Sequence, residues 1–110
     1  MEISTKDMKR VSLVTVSGRV DSATAPDFEK ALQSLIHANR NQIVLDLYGV
    51  EYMSSAGIRG MVSSLKAAKA GGGDVRLAKL SARVKEVLEL AGLHSIFTVY
   101  DDIVEAVGSF

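Results

Sequence analysis

The sequence predicts an α/β fold: a mixed, mostly parallel sheet of about five strands with about four helices packed on it. The main observation is the order of hydrophobic patterns. Two strand-like runs come first, and helical and strand-like segments then alternate to the end of the chain. Such alternation is typical of parallel strands joined by helical crossovers. In addition, 47% of the 110 residues are apolar. That is enough for the packed core of a single domain spanning residues 1–110.

The first two strands are predicted to pair with each other. Residues 11–17 contain the run VSLVTV, which is rich in β-branched residues, and residues 2–6 precede it at hairpin distance. The two segments are expected to turn near Lys9–Arg10.

The first helix is predicted to begin after Thr24. Thr24 is the expected N-cap, Pro26 suits the first turn, and Asp27 suits both the positive end of the helix dipole and a capping-box-like role. Apolar residues then recur at helical spacing and predict one buried stripe: Phe28, Ala31, Leu32, Leu35 and Ile36.

The middle of the chain is predicted to form a buried strand followed by a helix. Ile43–Leu47 is a short apolar run of the kind found in strands that are buried on both faces. The second helix is expected to begin around Ser55 and to end at Gly71–Gly73. Its apolar face is predicted to contain Ile58, Met61, Val62, Leu65 and Ala68.

The C-terminal third is predicted to add two strands and two helices. Residues 75–78 form the next strand, and Ser81 caps a third helix. Residues 96–99 are expected to form the last strand, and Asp102 with Glu105 gives a capping-box pattern for a short final helix.

Composition excludes several classes of function. Lysine plus arginine and aspartate plus glutamate each number 13, so no excess positive charge favours a nucleic acid or a direct membrane contact. The chain has no cysteine, which excludes disulfides and thiolate chemistry. Neither a signal peptide nor an apolar run of membrane-spanning length is visible, so a cytoplasmic protein is expected. No metal or cofactor site is expected.

Two adjacent serines at the predicted start of the second helix are the main candidates for chemistry. A hydrolase nucleophile elbow has the pattern G-x-S-x-G, but Met53 stands where its first glycine should be when the pattern is centred on Ser55. His37 and His94 are both expected at helix ends in structural roles, which leaves Ser54 and Ser55 without a general base. The sequence therefore does not predict an enzyme.

Two interpretations of these serines remain open from local physics. One serine can serve as a helix N-cap, which stabilises a helix by about 1 kcal/mol relative to alanine. The other interpretation is a modification or anion site, because a helix N-terminus favours added negative charge. The glycine-rich segment AGGGD does not provide a phosphate loop, because a helix precedes it and a strand follows it.

The sequence resembles the STAS domain family, and in particular bacterial anti-sigma factor antagonists. The resemblance includes the apolar strand with Asp46, the turn YMSSAG, the segment VLELAGL before the last strand and the earlier block VSGRVDSATAPDFEKAL. It covers nearly the whole chain. It implies a STAS fold. It also implies a protein that binds an anti-sigma factor when unphosphorylated and thereby releases a sigma factor.

The resemblance also implies specific residues and partners. The phosphorylated serine of such antagonists aligns with Ser55. Ser54 stands where the family often has Asp, and its hydroxyl makes it the second choice. The implied partners are an anti-sigma factor that is also a serine kinase, with a histidine-kinase-like ATPase fold, and a metal-dependent serine phosphatase. The implied partner-binding residues are Asp21, Ser22, Thr24, Ser54, Ser55, Ala56, Gly57 and Arg59.

An alternative within the same family is a free-standing accessory or scaffold module. Such a module would serve a transporter or a stressosome-like assembly through protein–protein contacts, and it would need no phosphorylation.

Overall fold

The computed structural model describes residues 1–110 and contains one five-stranded sheet with four helices. The elements follow in this order: β1 Glu2–Met8, β2 Val11–Val20, α1 Ala25–His37, β3 Gln42–Met53, α2 Ser55–Ala70, β4 Asp74–Ala78, α3 Ala82–Leu90, β5 Val99–Tyr100 and α4 Ile103–Gly108. The predicted fold class and element order are confirmed.

The strands lie in the sheet in the order of the chain, β1-β2-β3-β4-β5. β1 and β2 form an antiparallel hairpin, and β2 to β5 are parallel to one another. The hairpin turns at Lys9, whose φ of 61° is in the left-handed region. The carboxyl ends of β2, β3, β4 and β5 therefore share one edge of the sheet.

The third strand is buried on both faces, as its short apolar run predicts. Ile43, Leu45 and Leu47 belong to the larger core, which α1, α2 and α3 cover. Val44 points to the opposite face, where it packs with Ala106 of α4 in a smaller cluster. Because both faces of β3 are covered, apolar residues occupy consecutive positions rather than alternate ones.

Strand β3 is longer than predicted and contains two bulges. Its pairing with β2 passes from Thr15 opposite Asp46 to Ser17 opposite Gly49, which leaves one extra residue on β3. A carboxylate oxygen of Asp46 accepts the backbone N–H of Tyr48 at 3.2 Å within this bulge. A second bulge follows between Val50 and Tyr52. Bulges bend a strand and re-aim its end, and here they lead β3 to the turn that carries the two serines.

The prediction for the last strand is wrong in its position. The strand covers only Val99 and Tyr100, whereas residues 96–99 were expected. Phe97 is 5% exposed and packs into the larger core, and the backbone N–H of Ile96 donates to the carbonyl of Leu93 in a turn. Core packing of Phe97 and the turn before it thus delay the start of the strand.

Candidate functional site

A turn organised by Asp21 follows strand β2. One carboxylate oxygen of Asp21 accepts the backbone N–H groups of Ala23 at 3.0 Å and Thr24 at 3.1 Å. The hydroxyl of Thr24 in return accepts the N–H of Asp21 at 2.9 Å and donates to the carbonyl of Arg19 at 2.9 Å. Ser22 is exposed at the tip. The turn is therefore held by reciprocal hydrogen bonds between its first and last residues.

The predicted capping role of Thr24 is wrong in its mechanism. Thr24 occupies the N-cap position of α1, but its side chain makes no capping bond to the helix. The backbone N–H of Thr24 bonds to Asp21, so Asp27 does not close the expected capping box. The carbonyl of Asp21 accepts the N–H of Ala25, the first helical residue, at 2.8 Å. The Asp21 carboxylate therefore holds the turn that precedes the helix, and the Thr24 hydroxyl is turned toward Arg19 instead of the helix.

The charge of Asp21 is stabilised by these donors. The backbone N–H of Thr24 lowers the pKa of the Asp21 carboxyl below its ordinary value, and this effect outweighs the partial burial that raises it. The N–H of Ala23 and the positive charge of Arg19 act in the same direction as Thr24. The site therefore carries a fixed negative charge at neutral pH.

We expect Asp21→Asn to lower the stability of the protein at neutral pH and to lose this effect in acid. The amide keeps a carbonyl oxygen for the turn but removes the charge that the N–H groups favour. Because the folded pKa is lowered, the contribution of Asp21 is fully present above the unfolded value of about 3.9. It is lost as the pH falls through the lowered folded pKa. Urea unfolding of both proteins at pH 7 and at successively lower pH measures the difference, and a difference that does not change with pH would contradict the assignment.

Ser54 caps helix α2. Its backbone is extended, at φ −80° and ψ 170°, and its hydroxyl accepts the N–H of Gly57 at 3.3 Å. Its own N–H donates to the carbonyl of Val20 at the end of β2, at 2.8 Å. Ser54 is half-buried, whereas Ser55, the first residue of the helix, is exposed. The two serines therefore differ, because one hydroxyl serves the helix and the other faces solvent.

We expect Ser54→Ala to lower the free energy of unfolding by about 1 kcal/mol, since the helix loses its side-chain cap. The matched variant Ser55→Ala should change stability by less than about 0.5 kcal/mol, because the exposed Ser55 hydroxyl makes no capping bond. Urea denaturation of both variants measures the difference. Equal losses from the two substitutions would show that the cap does not distinguish the serines.

Gly57 allows α2 to approach the ends of β2 and β3 closely. Gly57 is buried, and a methyl group there would overlap the sulfur of Met53 and a methyl of Val20. Ala56, the neighbouring small residue, is half-buried and packs against the larger core. Small residues at these two positions keep the first turn of α2 against the sheet.

The structure brings the two predicted loops together. Val20 lies opposite Met53 in the parallel ladder, so the turn of residues 21–24 and the start of α2 leave the sheet side by side. The hydrogen bond from Ser54 to Val20 joins them. Arg59 is exposed one helical turn beyond Ser55 on α2. The predicted residues thus lie together at the carboxyl edge of the sheet, where all of them except the buried Gly57 are at least partly exposed.

One contact beside this surface, between Arg19 and Tyr52, was not predicted from the sequence. The guanidinium of Arg19 lies over the ring of Tyr52, 4.5 Å from the ring centre. The two residues are opposite each other in the ladder only after the second bulge of β3. No local sequence pattern gives that register, so the contact could not be predicted.

The comparisons with known proteins identify the family. The STAS domain family model matches residues 2–106. The chain belongs to the STAS domain family. This STAS domain is 30% identical to BtrV, a candidate anti-sigma factor antagonist of Bordetella bronchiseptica, over 100% of this chain and 95% of that protein.

Solved structures agree with this assignment. The crystal structure of a candidate anti-sigma factor antagonist from Thermotoga maritima superimposes with a TM-score of 0.90. It is 27% identical, and the match covers 97% of this chain and 92% of that one. The Bacillus protein SpoIIAA, solved unphosphorylated and phosphorylated, superimposes with TM-scores of 0.84 and 0.79. These matches cover 96% and 98% of this chain, and 93% and 98% of those chains. At 17% and 15% identity, SpoIIAA shares the fold.

All three of these proteins are named as regulators rather than as enzymes. None of the four helices of this STAS domain combines the length and apolarity that crossing a bilayer requires.

Proposed function

We propose that this STAS domain is an anti-sigma factor antagonist that is switched off by phosphorylation of Ser55. In the unmodified state it binds an anti-sigma factor through the surface around Asp21, Ser22, Thr24 and Ser54–Gly57, and the sigma factor is released by competition. The observation that carries the proposal is the exposed hydroxyl of Ser55 on the first turn of α2, at the centre of this surface. Residues 1–110 act as one regulatory unit without catalytic activity, in the cytoplasm.

The choice of Ser55 over Ser54 rests on their different surroundings. The Ser54 hydroxyl is half-buried and already accepts the N–H of Gly57, so it is less accessible to a kinase. The Ser55 hydroxyl faces solvent, where a kinase can reach it. A phosphate on the first helical residue lies near the positive end of the dipole and is therefore compatible with the folded helix.

Phosphorylation acts on the interface through charge. Phosphate adds about −1.5 to −2 charges and three strong acceptors. A like charge on the partner at about 6 Å would be repelled by roughly 3 kcal/mol per unit charge at an effective dielectric constant of about 20. Two charges approach roughly 5 kcal/mol before salt screening. Since about 1.4 kcal/mol is tenfold in affinity, binding can fall by two or three decades without a change of fold.

The class of the partners is the one that the resemblance to anti-sigma factor antagonists implies. The anti-sigma factor is also the serine kinase that modifies Ser55, and it has an ATPase domain like that of histidine kinases. A metal-dependent serine phosphatase removes the phosphate. The STAS domain itself uses no cofactor.

Phosphate mapping tests the proposal. The purified STAS domain is incubated with ATP and with each histidine-kinase-like serine kinase encoded by the same genome, and the modified peptide is sequenced by mass spectrometry. We expect phosphate on Ser55 in the wild type and in Ser54→Ala, and none in Ser55→Ala. Modification of Ser54 alone would contradict the assignment of the residue. Tight binding to a partner without any phosphorylation would favour the accessory or scaffold function instead.

A further inference from the structure

A groove lies along the outer side of α2, next to the proposed surface. It has a volume of about 480 Å³ and is formed by Ile58, Arg59, Val62, Ser63, Lys66 and Leu93. We call this set the basic groove. Five of its residues belong to α2, and Leu93 comes from the turn after α3, which places an apolar wall beside the helix.

Every charged residue of the basic groove is positive. Arg59 and Lys66 are both exposed, and neither takes part in an ion pair within the protein. Helix α2 contains three cations and no acidic residue, although the whole chain has no net charge. The two cations of the groove are therefore free to pair with negative charge on a partner.

The spacing of the cations defines what fits. Arg59 and Lys66 are seven residues apart, so they lie on one side of the helix about 10 Å from each other along its axis. Of the apolar residues of the groove, the half-buried Val62 lies between the two cations along the helix. Ile58 is buried at the Arg59 end, and Leu93 completes the apolar lining. The groove thus offers positive charge at two points and an apolar floor between those points.

We propose that the basic groove is the docking surface for an acidic segment of the anti-sigma partner. The segment carries two carboxylates about 10 Å apart, which is the distance between side chains two turns apart on a helix. An apolar side chain lies between the two carboxylates. This inference rests on the proposed function, since it names the chemistry of the partner at the same end of the molecule. Two isolated cations above an apolar floor suit a peptide better than a nucleic acid backbone, which needs a continuous row of cations.

The groove also gives Ser55 a way to control docking. Ser55 precedes Arg59 by four residues, so the two side chains are neighbours on the helix surface. A phosphate on Ser55 pairs with Arg59 and competes with the carboxylate of the partner for it. The same phosphate repels that carboxylate. Phosphorylation then removes one of the two anchoring charges of the groove.

Charge reversal at Lys66 tests the groove, with Lys69→Glu as a matched control. Lys69 lies on the same helix but borders a different cavity, near Gly72 and Asp74. We expect Lys66→Glu to weaken binding of the anti-sigma kinase about tenfold or more, mainly through slower association, and to reduce the salt dependence of binding. Lys69→Glu should stay within about twofold of the wild type. Equal effects of the two variants, or no effect of Lys66→Glu, would overturn the inference.

A synthetic peptide gives a second readout that does not require the kinase. The probe is a helical peptide of about 14 residues with two glutamates seven positions apart and leucine between them, compared with the same peptide carrying glutamine. In an NMR titration we expect amide shifts at Arg59, Val62, Ser63 and Lys66 with the glutamate peptide, and about tenfold weaker binding of the glutamine peptide. Shifts elsewhere, no shifts, or preferential binding of a single-stranded oligonucleotide would overturn the inference. If the kinase does not bind the wild type, the proposed function fails and the peptide alone decides about the groove.

Discussion

Ser55→Asp is expected to weaken binding of the anti-sigma partner by about a hundredfold. The aspartate adds one negative charge at the centre of the surface, and repulsion of roughly 3 kcal/mol corresponds to about two decades in affinity. Calorimetric titration of the purified partner with the wild type and the variant measures the change. Phosphorylated Ser55, with up to twice the charge, should bind more weakly still.

Two controls separate interface charge from damage to the fold. Ser55→Asp should keep the stability of the wild type, because an acidic residue on the first turn of α2 is favoured by the helix dipole. Ser34→Asp adds the same charge on an exposed position of α1, away from the surface, and should bind like the wild type. If Ser55→Asp bound the partner as tightly as the unmodified protein, the phospho-switch would be wrong.

Gly57→Ala is expected to lower the free energy of unfolding by about 1–3 kcal/mol, the cost of inserting a methyl group into a packed site. The added carbon would overlap Met53 and Val20, which hold the ends of β3 and β2 beneath the helix. The helix must then move away from the sheet and carry Ser54 and Ser55 with it. The variant should therefore also bind the partner more weakly. Urea denaturation and partner titration of the variant measure the two effects.

Gly60→Ala provides the matched control on the same helix. A methyl group at Gly60 would meet the Cβ of Glu29 at 3.3 Å, a contact that α1 relieves by shifting a few tenths of an ångström. Alanine is favoured over glycine inside a helix by roughly 0.8–1.0 kcal/mol, so Gly60→Ala should be neutral or stabilising. If Gly60→Ala lost as much stability as Gly57→Ala, contact with the strand ends would not explain the loss. The loss would then be a general effect of replacing glycine in α2.

The elements that carry strong local signals were predictable from the sequence. The apolar run Ile43–Leu47 predicts a strand buried on both faces, and the structure confirms it. The start of α2 at Ser55 and the caps formed by Ser81 and Asp102 are also as predicted. In each case the signal lies within a few residues, because capping bonds and hydrophobic periodicity are local properties of the chain.

Errors arose where a competing turn or a distant part of the chain decided the outcome. Thr24 has the right residue type for an N-cap, but its hydroxyl is turned toward Arg19 at the end of β2. The last strand begins late because the core takes Phe97. The Thr24 bonds belong to a short turn that competes with helix capping. The contact of Phe97 forms only when separate elements pack together.

The sequence by itself determined the order of the elements, the family resemblance and the position of two serines at the start of a helix. Only the tertiary structure decided that the Asp21 turn and these serines share one surface, because the two bulges of β3 set the register that places Met53 beside Val20. It also decided which serine is free, since Ser54 is held by Gly57 and by the end of β2. The basic groove likewise exists only after Leu93 packs beside α2. Hydrophobic patterns specify segments, whereas strand register and packing between helices depend on contacts among residues far apart in the chain.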